Sequence, residues 1–153
     1  MKVLILAVGK MRDPHWRKLA AQYIDRIAHY LPIEVVEVRE SRAGQPQTRR
    51  AEEGAALLAA VPDGAILVAL DERGQSLGSH AFAAWTEERM IRGTRYLAFA
   101  VGGPEGLADG VRDAAELVLS LSAMTFPHDM ARTLLTEQIY RSMTIIRGEP
   151  YHR

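Results

Sequence analysis

The sequence predicts a single α/β domain over residues 1–153, with a largely parallel sheet covered by helices. Patterns typical of strands and helices alternate along the whole chain, as they do when crossover helices join parallel strands. Several strand patterns are nearly continuous apolar runs, for example Val3–Val8 and Ala65–Leu70, which is typical of strands buried on both faces. A chain of 153 residues has an ordinary size for one domain.

The first half of the chain supplies two strand–helix pairs. Lys2–Val8 is predicted as the first strand, and the helix after it begins at Pro14, with Asp13 as its cap, and ends near Tyr30. Ile33–Arg39 is predicted as the second strand. After a polar loop, Thr48 is predicted to cap a helix that reaches about Ala60, with carboxylates in its first turns.

The second half continues the alternation. Ala65–Leu70 is predicted as a buried strand that ends before Asp71, and Ser79 is predicted to cap a helix that reaches about Arg92. The remaining predicted elements are a strand at Arg95–Val101, a short helix at Leu107–Ala115, a strand at Glu116–Leu121 and a long helix at His128–Ile146.

The composition limits the chemistry that is available to the chain. It contains no cysteine, which excludes disulfides, thiolate metal sites and a cysteine nucleophile. The histidines are scattered without metal-binding spacing, so we expect no metal site. The first apolar run, Val3–Val8, is too short for a membrane span or a signal-peptide core. We therefore predict a cytoplasmic protein without membrane contact.

The charges give two opposing indications about nucleic acid. Nineteen basic and nineteen acidic residues give a formal net charge of zero, which argues against non-specific binding to nucleic acid. However, Arg39, Arg42, Arg49 and Arg50 fall in one short stretch. A neutral protein can still present one basic face, although scattered, solvated charges explain the pattern equally well.

Three loops are the predicted binding region, because ligands of parallel α/β sheets bind beyond the carboxyl ends of the strands. They follow Leu70, Val101 and Leu121. Gly102 and Gly103 carry no Cβ, so the backbone there can approach a ligand closely. We expect a bulky side chain at Gly102 to fill this pocket and abolish binding without unfolding the protein. A tight turn is the other interpretation of the glycines, since dinucleotide-loop and P-loop spacings are absent.

Two features near the end of the chain have both a functional and a structural interpretation. His128 follows Pro127 at the start of the last predicted helix, where its imidazole either caps backbone amides or faces a site. The terminal Tyr151-His152-Arg153 combines groups that suit stacking on a base and pairing with phosphate. A frayed polar tail is the alternative.

The last predicted helix carries an apolar stripe that is broader than one core-facing side requires. The stripe consists of Leu135, Ile139, Met143 and Ile146. A packed homodimer and simple deep burial explain it equally well.

Five separated motifs, taken in order, resemble the RlmH family of bacterial large-subunit ribosomal RNA methyltransferases, which belongs to the SPOUT superfamily. The likeness covers the whole chain and is densest from Leu70 onward. The motifs are Leu70-Asp71, Val101–Gly106, Leu121–His128, Glu137–Arg141 and Pro150–Arg153.

The resemblance implies a parallel-sheet SPOUT methyltransferase fold whose C-terminal part is tied in a trefoil knot. It further implies a homodimer that binds S-adenosyl-L-methionine in the knot and methylates N3 of a pseudouridine in 23S rRNA, at the ribosomal subunit interface. The family is thought to act on assembled ribosomes, which would reconcile a neutral chain with an RNA substrate. The tail would then lie near the partner's donor pocket.

The site residues implied by the resemblance fall into three groups. The methyl-donor contacts are Leu70, Gly102, Leu121, Ser122, Ala123, Met124, Thr125 and Phe126. The catalytic candidates are His128, His152 and Arg153, with Glu105 a further possible proton acceptor by its type. The substrate candidates are Arg132, Arg141, Tyr151, His152 and Arg153, where helix-surface ion pairs are the other interpretation of the two helical arginines.

Two functions from other classes remain as alternatives. One is a ribosome-binding protein without catalysis, which predicts that no methyl donor is bound. The other is a nucleotide-binding oxidoreductase, which requires a glycine fingerprint after the first strand that Gly9–Arg12 does not supply.

Overall fold

Five parallel strands form one sheet in the order β2-β1-β4-β3-β5 in the computed structural model. The structure describes residues 1–152, without the side chain of His152, so Arg153 and that imidazole lie outside the described part. The strands are β1 (Lys2–Val8), β2 (Ile33–Val38), β3 (Ile66–Ser76), β4 (Tyr96–Val101) and β5 (Leu117–Ser120). Every pairing between them is parallel, as the apolar strand patterns predict.

Helices cover both faces of the sheet. They are α1 (Pro14–Ala28), α2 (Pro46–Ala59), α3 (Ser79–Ile91), α4 (Asp109–Ala114) and α5 (His128–Ile146), and a 3-10 turn follows at Pro150–His152. On one face, Phe82 and Leu135 belong to the core that contains Phe99 of β4. On the other face, Leu57 and Val111 pack with the alternate side chains of β1. The central strands are thereby buried on both sides.

One of the three predicted helix caps is confirmed. The Asp13 carboxylate accepts hydrogen bonds from the backbone N–H groups of His15 (2.7 Å) and Trp16 (3.3 Å). Thr48 is not a cap, because α2 already begins at Pro46, whose fixed φ suits a first helical position. Ser79 lies inside α3, and its hydroxyl donates instead to the Gln138 side chain at 2.8 Å.

β3 continues beyond the predicted end at Leu70. It pairs with β5 up to Leu70, arches out over residues 71–74, and resumes pairing at Gln75 and Ser76. A Cβ at Gly74 would lie 2.5 Å from the Val118 carbonyl oxygen, so only glycine lets the arch pass so close to β5. The polar segment after Leu70 therefore belongs to an interrupted strand, which the sequence pattern does not reveal.

The apolar stripe of α5 packs on the core of its own chain. Leu135, Ile139 and Met143 are at most 2% exposed, and Ile146 is half-buried against the same core. Deep burial thus accounts for the stripe, and the stripe gives no support to a homodimer.

Candidate functional site

A cavity of about 440 Å³ opens where β3, β4 and β5 end. The loops after the three strands form its walls, as expected for a parallel sheet. Of the eight positions that the resemblance assigns to the methyl donor, only Ala123, which is exposed, does not line it. The other seven are Leu70, Gly102, Leu121, Ser122, Met124, Thr125 and Phe126. The structure thus brings together residues that are more than 50 positions apart in the chain.

The glycine loop after β4 is a tight turn as well as a cavity wall. The Gly106 N–H donates to the Gly103 carbonyl at 2.9 Å, and Gly106 has a φ of +77°, which favours glycine. A Cβ on Gly102 would meet the Gly106 carbonyl carbon at 2.7 Å and the Leu107 nitrogen at 2.9 Å. The expectation that a side chain at Gly102 fills the pocket without disturbing the fold is therefore corrected, because it first strikes the turn itself.

A hydrogen bond from His128 joins the start of α5 to the end of β4. Its Nδ1 lies 2.8 Å from the Gly102 carbonyl oxygen, so this nitrogen carries the proton and donates it. The Nε2 atom is buried and has no hydrogen-bond partner among the described residues. Burial first, and the nearby Arg132 guanidinium second, lower the pKa of His128 below its ordinary value. The imidazole is not a helix cap. Its Nδ1 is engaged with Gly102, and its Nε2 keeps an unpaired lone pair that is buried from solvent.

Arg112 of α4 ties the arch of β3 to the glycine loop. Its guanidinium donates to the Asp71 carboxylate at 2.9 Å and to the Leu107 carbonyl at 2.8 Å. Hydrogen bonds from Arg73 outweigh burial and lower the pKa of Asp71 to about 2. Both Asp71 and Arg112 line the cavity. Residue patterns did not single out Arg112, although a polar Asp71 directly after a buried strand is a recognisable signal for a site at the sheet edge.

The loop after β5 is held in place by short polar contacts. The Thr125 hydroxyl donates to the Glu72 carboxylate at 2.6 Å, which bridges the loop to the arch of β3. The Ser122 hydroxyl accepts the Met124 N–H at 3.0 Å, and the Ser120 hydroxyl donates to the Ser122 carbonyl at 2.9 Å. These contacts shape the third wall of the cavity from small side chains.

Glu105, the further proton-acceptor candidate, is engaged in an ion pair. Its carboxylate pairs with Arg49 of α2. The same guanidinium donates to the carbonyls of Ala43 (3.0 Å) and Gly44 (3.2 Å). Arg49 thus joins the loop after β2 to the glycine loop, and its charge is used inside the protein.

Arg132, a predicted substrate contact, is buried. Its side chain is 5% exposed, and its guanidinium donates to the Glu37 carboxylate at 2.7 Å and to the Gly9 carbonyl at 3.1 Å. A phosphate could reach this group only by displacing both partners. The prediction is corrected: Arg132 holds the loop after β1 and the end of β2 against α5.

The tail begins far from the cavity of its own chain. The Tyr151 ring lies edge-on against Tyr140 at 4.7 Å, and the Arg141 guanidinium lies over it at 4.9 Å. The Tyr151 hydroxyl donates to Glu137 at 3.1 Å, and the same carboxylate pairs with Arg141 at 2.5 Å. Tyr140 is 12 residues after His128 on α5, which corresponds to about 18 Å along a helix. Tyr151 and Arg141 therefore lie outside the cavity of their own chain.

Among the side chains that the structure describes, no three histidine or acidic groups are gathered so as to hold a metal ion. No described helix is both long and apolar enough to cross a membrane.

Comparison with known sequences gives matches over the full length of the chain. Residues 1–152 match the family described as "Predicted SPOUT methyltransferase". A protein of Rhodopseudomonas palustris named ribosomal RNA large subunit methyltransferase H is 48% identical, with 100% of this chain and 99% of that protein covered. A protein of Xanthobacter autotrophicus with the same name is 45% identical over the same shares.

Two solved structures share the fold at low sequence identity. A probable methyltransferase from Bordetella pertussis superimposes with a TM-score of 0.60 at 16% identity, over 92% of this chain and 95% of the other. A probable methylase family protein from Haemophilus influenzae gives 0.52 at 11% identity, over 95% of this chain and 66% of the other. At these identities the likeness concerns the fold alone.

Proposed function

We propose, for a chain that belongs to the SPOUT methyltransferase family, that its activity is methyl transfer to N3 of a pseudouridine in 23S ribosomal RNA. That the chain is a large-subunit rRNA methyltransferase follows from its full-length similarity to proteins of that name. The observation that carries the finer proposal is the cavity at the ends of β3, β4 and β5, where the loops named by the resemblance meet.

The residues around the cavity fit S-adenosyl-L-methionine. A volume of about 440 Å³ lies within the usual range of roughly 300–1,000 Å³ for small-molecule sites. Leu70, Leu121 and Phe126 supply apolar walls, and the glycine loop presents backbone rather than side chains. Asp71 also lines the cavity, with its carboxylate held by Arg73 and Arg112. We propose that these residues bind the methyl donor.

When bound, S-adenosyl-L-methionine supplies an activated methyl group on a positively charged sulfur. The work left to the chain is to hold the reacting atoms in line and to exclude water. The contacts from Arg112 to Leu107, from His128 to Gly102 and from Thr125 to Glu72 fix the three loops relative to one another. A preorganised cavity of this kind reduces the rearrangement that the reaction requires.

The imide nitrogen of the substrate must lose its proton before it can attack. Glu105 is engaged in an ion pair with Arg49, and the imidazole of His128 is held at Nδ1 by Gly102 with its Nε2 buried. We therefore assign the chemistry at the base to the tail, with His152 near the proton and Arg153 stabilising the negative charge that develops on the base. Arg141 and Tyr151 are proposed to position the tail rather than to contact phosphate.

We further propose that the C-terminal part forms a trefoil knot. The supporting observations are the edge position of β5, which is reached after β4 and α4, and the return of the chain to the end of β4 at His128. A threaded arrangement would hold the three loops more firmly than contacts between separate turns.

We also propose that two copies of the chain complete one active site. Tyr151, where the tail begins, packs against Tyr23 and Tyr140, and Tyr140 lies about 18 Å along α5 from His128. A tail that acts on substrate would then reach the cavity of the partner. We propose the assembled ribosome, at its subunit interface, as the substrate, and accordingly a cytoplasmic location for the protein.

The proposal is tested by methyl transfer from labelled S-adenosyl-L-methionine to purified ribosomes, followed by nucleoside mass spectrometry. We expect one N3-methylated pseudouridine per 23S rRNA. The double variant H152A/R153A should bind the donor with unchanged affinity in calorimetry and lose at least about tenfold in transfer rate. Tyr151 stays in place in this variant, so the packing of the tail is preserved. Full activity of the double variant would overturn the role of the tail.

A further inference from the structure

Basic side chains without partners are concentrated at one edge of the molecule. Seven described lysines and arginines make no side-chain hydrogen bond, ion pair or ring contact to other described residues. Six of the seven follow β1 or β2 and are exposed. We call these six the basic edge: Lys10, Arg17, Lys18, Arg39, Arg42 and Arg50. The seventh, Arg147, follows α5.

Acidic side chains without partners lie elsewhere. Within the described residues they are Asp25, Asp63, Glu87 and Asp113. Residues 10–18 and 39–53 together contain eight basic residues and four acidic ones, Asp13, Glu40, Glu52 and Glu53. Glu52 and Glu53 line the same depression as Arg39 and Arg42 and accept hydrogen bonds from Ser41. Asp13 caps α1, and Glu40 pairs with Arg12 at 2.8 Å. A chain with zero net charge therefore presents a locally cationic surface.

The basic edge adjoins the cavity. β1 and β2 are neighbours in the sheet, and β1 also pairs with β4, whose glycine loop forms one cavity wall. Arg50, a member of the basic edge, also lines the cavity. The helices α1 and α2 begin at this edge, and their N-terminal dipoles add to its attraction for anions.

We propose that the basic edge binds the ribose-phosphate backbone of the ribosomal RNA that flanks the target base. The choice of RNA rests on the function proposed above, and the location rests on the segregation of unpartnered charge. Exposed arginines that carry no internal partner can contact phosphate without first breaking another interaction. The surface would hold the RNA strand so that one base reaches the cavity mouth beside Arg50.

The test compares two double charge reversals with the same change in net charge. R39E/R42E alters the basic edge, and R92E/R95E alters two exposed arginines at the opposite end of the sheet, just before β4. Binding to purified ribosomes is measured by sedimentation at several salt concentrations, without methyl transfer. Calorimetry with S-adenosyl-L-methionine checks that both variants keep the donor site.

We expect R39E/R42E to weaken ribosome binding at least about tenfold more than the control, and to reduce the slope of log affinity against log salt by about 1 to 2. Equal weakening by both variants would overturn the inference. A loss of ribosome binding confined to R39E/R42E, with an unchanged slope of log affinity against log salt, would also overturn it, because that result indicates a contact with ribosomal protein rather than with phosphate. No binding by the unsubstituted protein would also overturn it. If R39E/R42E alone loses salt-dependent ribosome binding, but the unsubstituted protein yields no methylated nucleoside in the transfer assay, the role of the basic edge is upheld and the proposed reaction is rejected.

Discussion

Two residues that line the cavity act on the backbone around it. Gly102 is confined by the turn that follows it, and His128 donates to the carbonyl of that same glycine. Both are within the motifs that the sequence singles out, but their contacts show why each residue type is needed. Gly102 is needed because the backbone of Gly106 and Leu107 passes too close for a side chain. His128 is needed because its Nδ1–H donates to the Gly102 carbonyl.

Replacing Gly102 by alanine should disturb the turn and the donor site together. Because the new Cβ would press on the backbone of Gly106 and Leu107, we expect a loss of about 1–3 kcal/mol in the free energy of unfolding. Affinity for S-adenosyl-L-methionine should fall at least tenfold as the wall shifts. Urea unfolding and calorimetry measure the two effects.

Gly110→Ala is the matched control for this prediction. Gly110 lies in α4, and nothing lies within 4 Å of an added Cβ. We expect unchanged donor affinity and stability equal to or slightly above that of the parent, since alanine favours the helix. A G102A protein as stable as G110A would contradict the steric account of the turn.

Substitutions at His128 distinguish a structural role of its imidazole, the hydrogen bond to Gly102, from a role as catalytic base. H128A should leave the half-buried Gly102 carbonyl without its donor and cost about 1–3 kcal/mol of stability. H128N can place an amide N–H near the Nδ1 position, so we expect it to recover part of that stability and of the donor affinity. The pH profile of kcat should keep its shape in H128N. Loss of a titrating step from that profile would show that His128 takes the substrate proton.

At the scale of elements, the arch in β3 joins two parts of the site. Asp71 leaves the strand to meet Arg73 and Arg112, while the chain returns at Gln75 to pair again with β5. The arch therefore places a carboxylate at the cavity without ending the strand. Its contacts with α4 couple the sheet edge to the glycine loop.

This coupling predicts a pH dependence of stability. The pKa of Asp71 is lowered from 3.8 to about 2 in the folded chain, so the ionised form is favoured by folding. Its contribution is fully present above about pH 4 and is lost as the pH falls from 4 through 2. Allowing for solvent screening, we expect about 1 kcal/mol from this group. Urea unfolding of the parent and of D71N should show a stability difference that shrinks over this range. A constant difference would contradict the assignment.

At the scale of the whole molecule, the cavity and Tyr151 are separated. The cavity opens beside the start of α5, whereas Tyr151 packs beyond the middle of that helix against Tyr23. The cavity and the part of the chain to which we assign the substrate therefore do not meet, as far as Tyr151, within one chain. The proposed dimer resolves this separation.

Mixing two inactive variants should restore activity if the site is composite. Ser122→Trp is designed to fill the cavity, and H152A/R153A alters only the tail. After the two are refolded together, about half of the dimers are mixed and each has one intact pair of cavity and tail. We therefore expect about a quarter of the parent activity. Each variant refolded alone is the control, and no recovery in the mixture would refute action across the dimer.

The α/β architecture was predictable from local patterns because alternation and apolar runs reflect burial directly. All five strands and five helices occur near their predicted positions. The errors concern local details such as Thr48, where Pro46 starts the helix first. They also concern β3, whose continuation pairs with residues that lie 44 positions later in the chain. Neither the arch nor Arg112 could be recognised from spacing, because their partners come from distant segments.

The sequence by itself determined the family, the parallel sheet and the three loops that form the cavity. Only the tertiary structure decided which charged groups are available. Arg49 and Arg132 look the same in sequence as Arg39 and Arg42, yet the first two are used in internal ion pairs and the latter two face solvent. The physical reason is that a charge acts according to the partners within a few ångströms, and those partners are set by how distant segments pack.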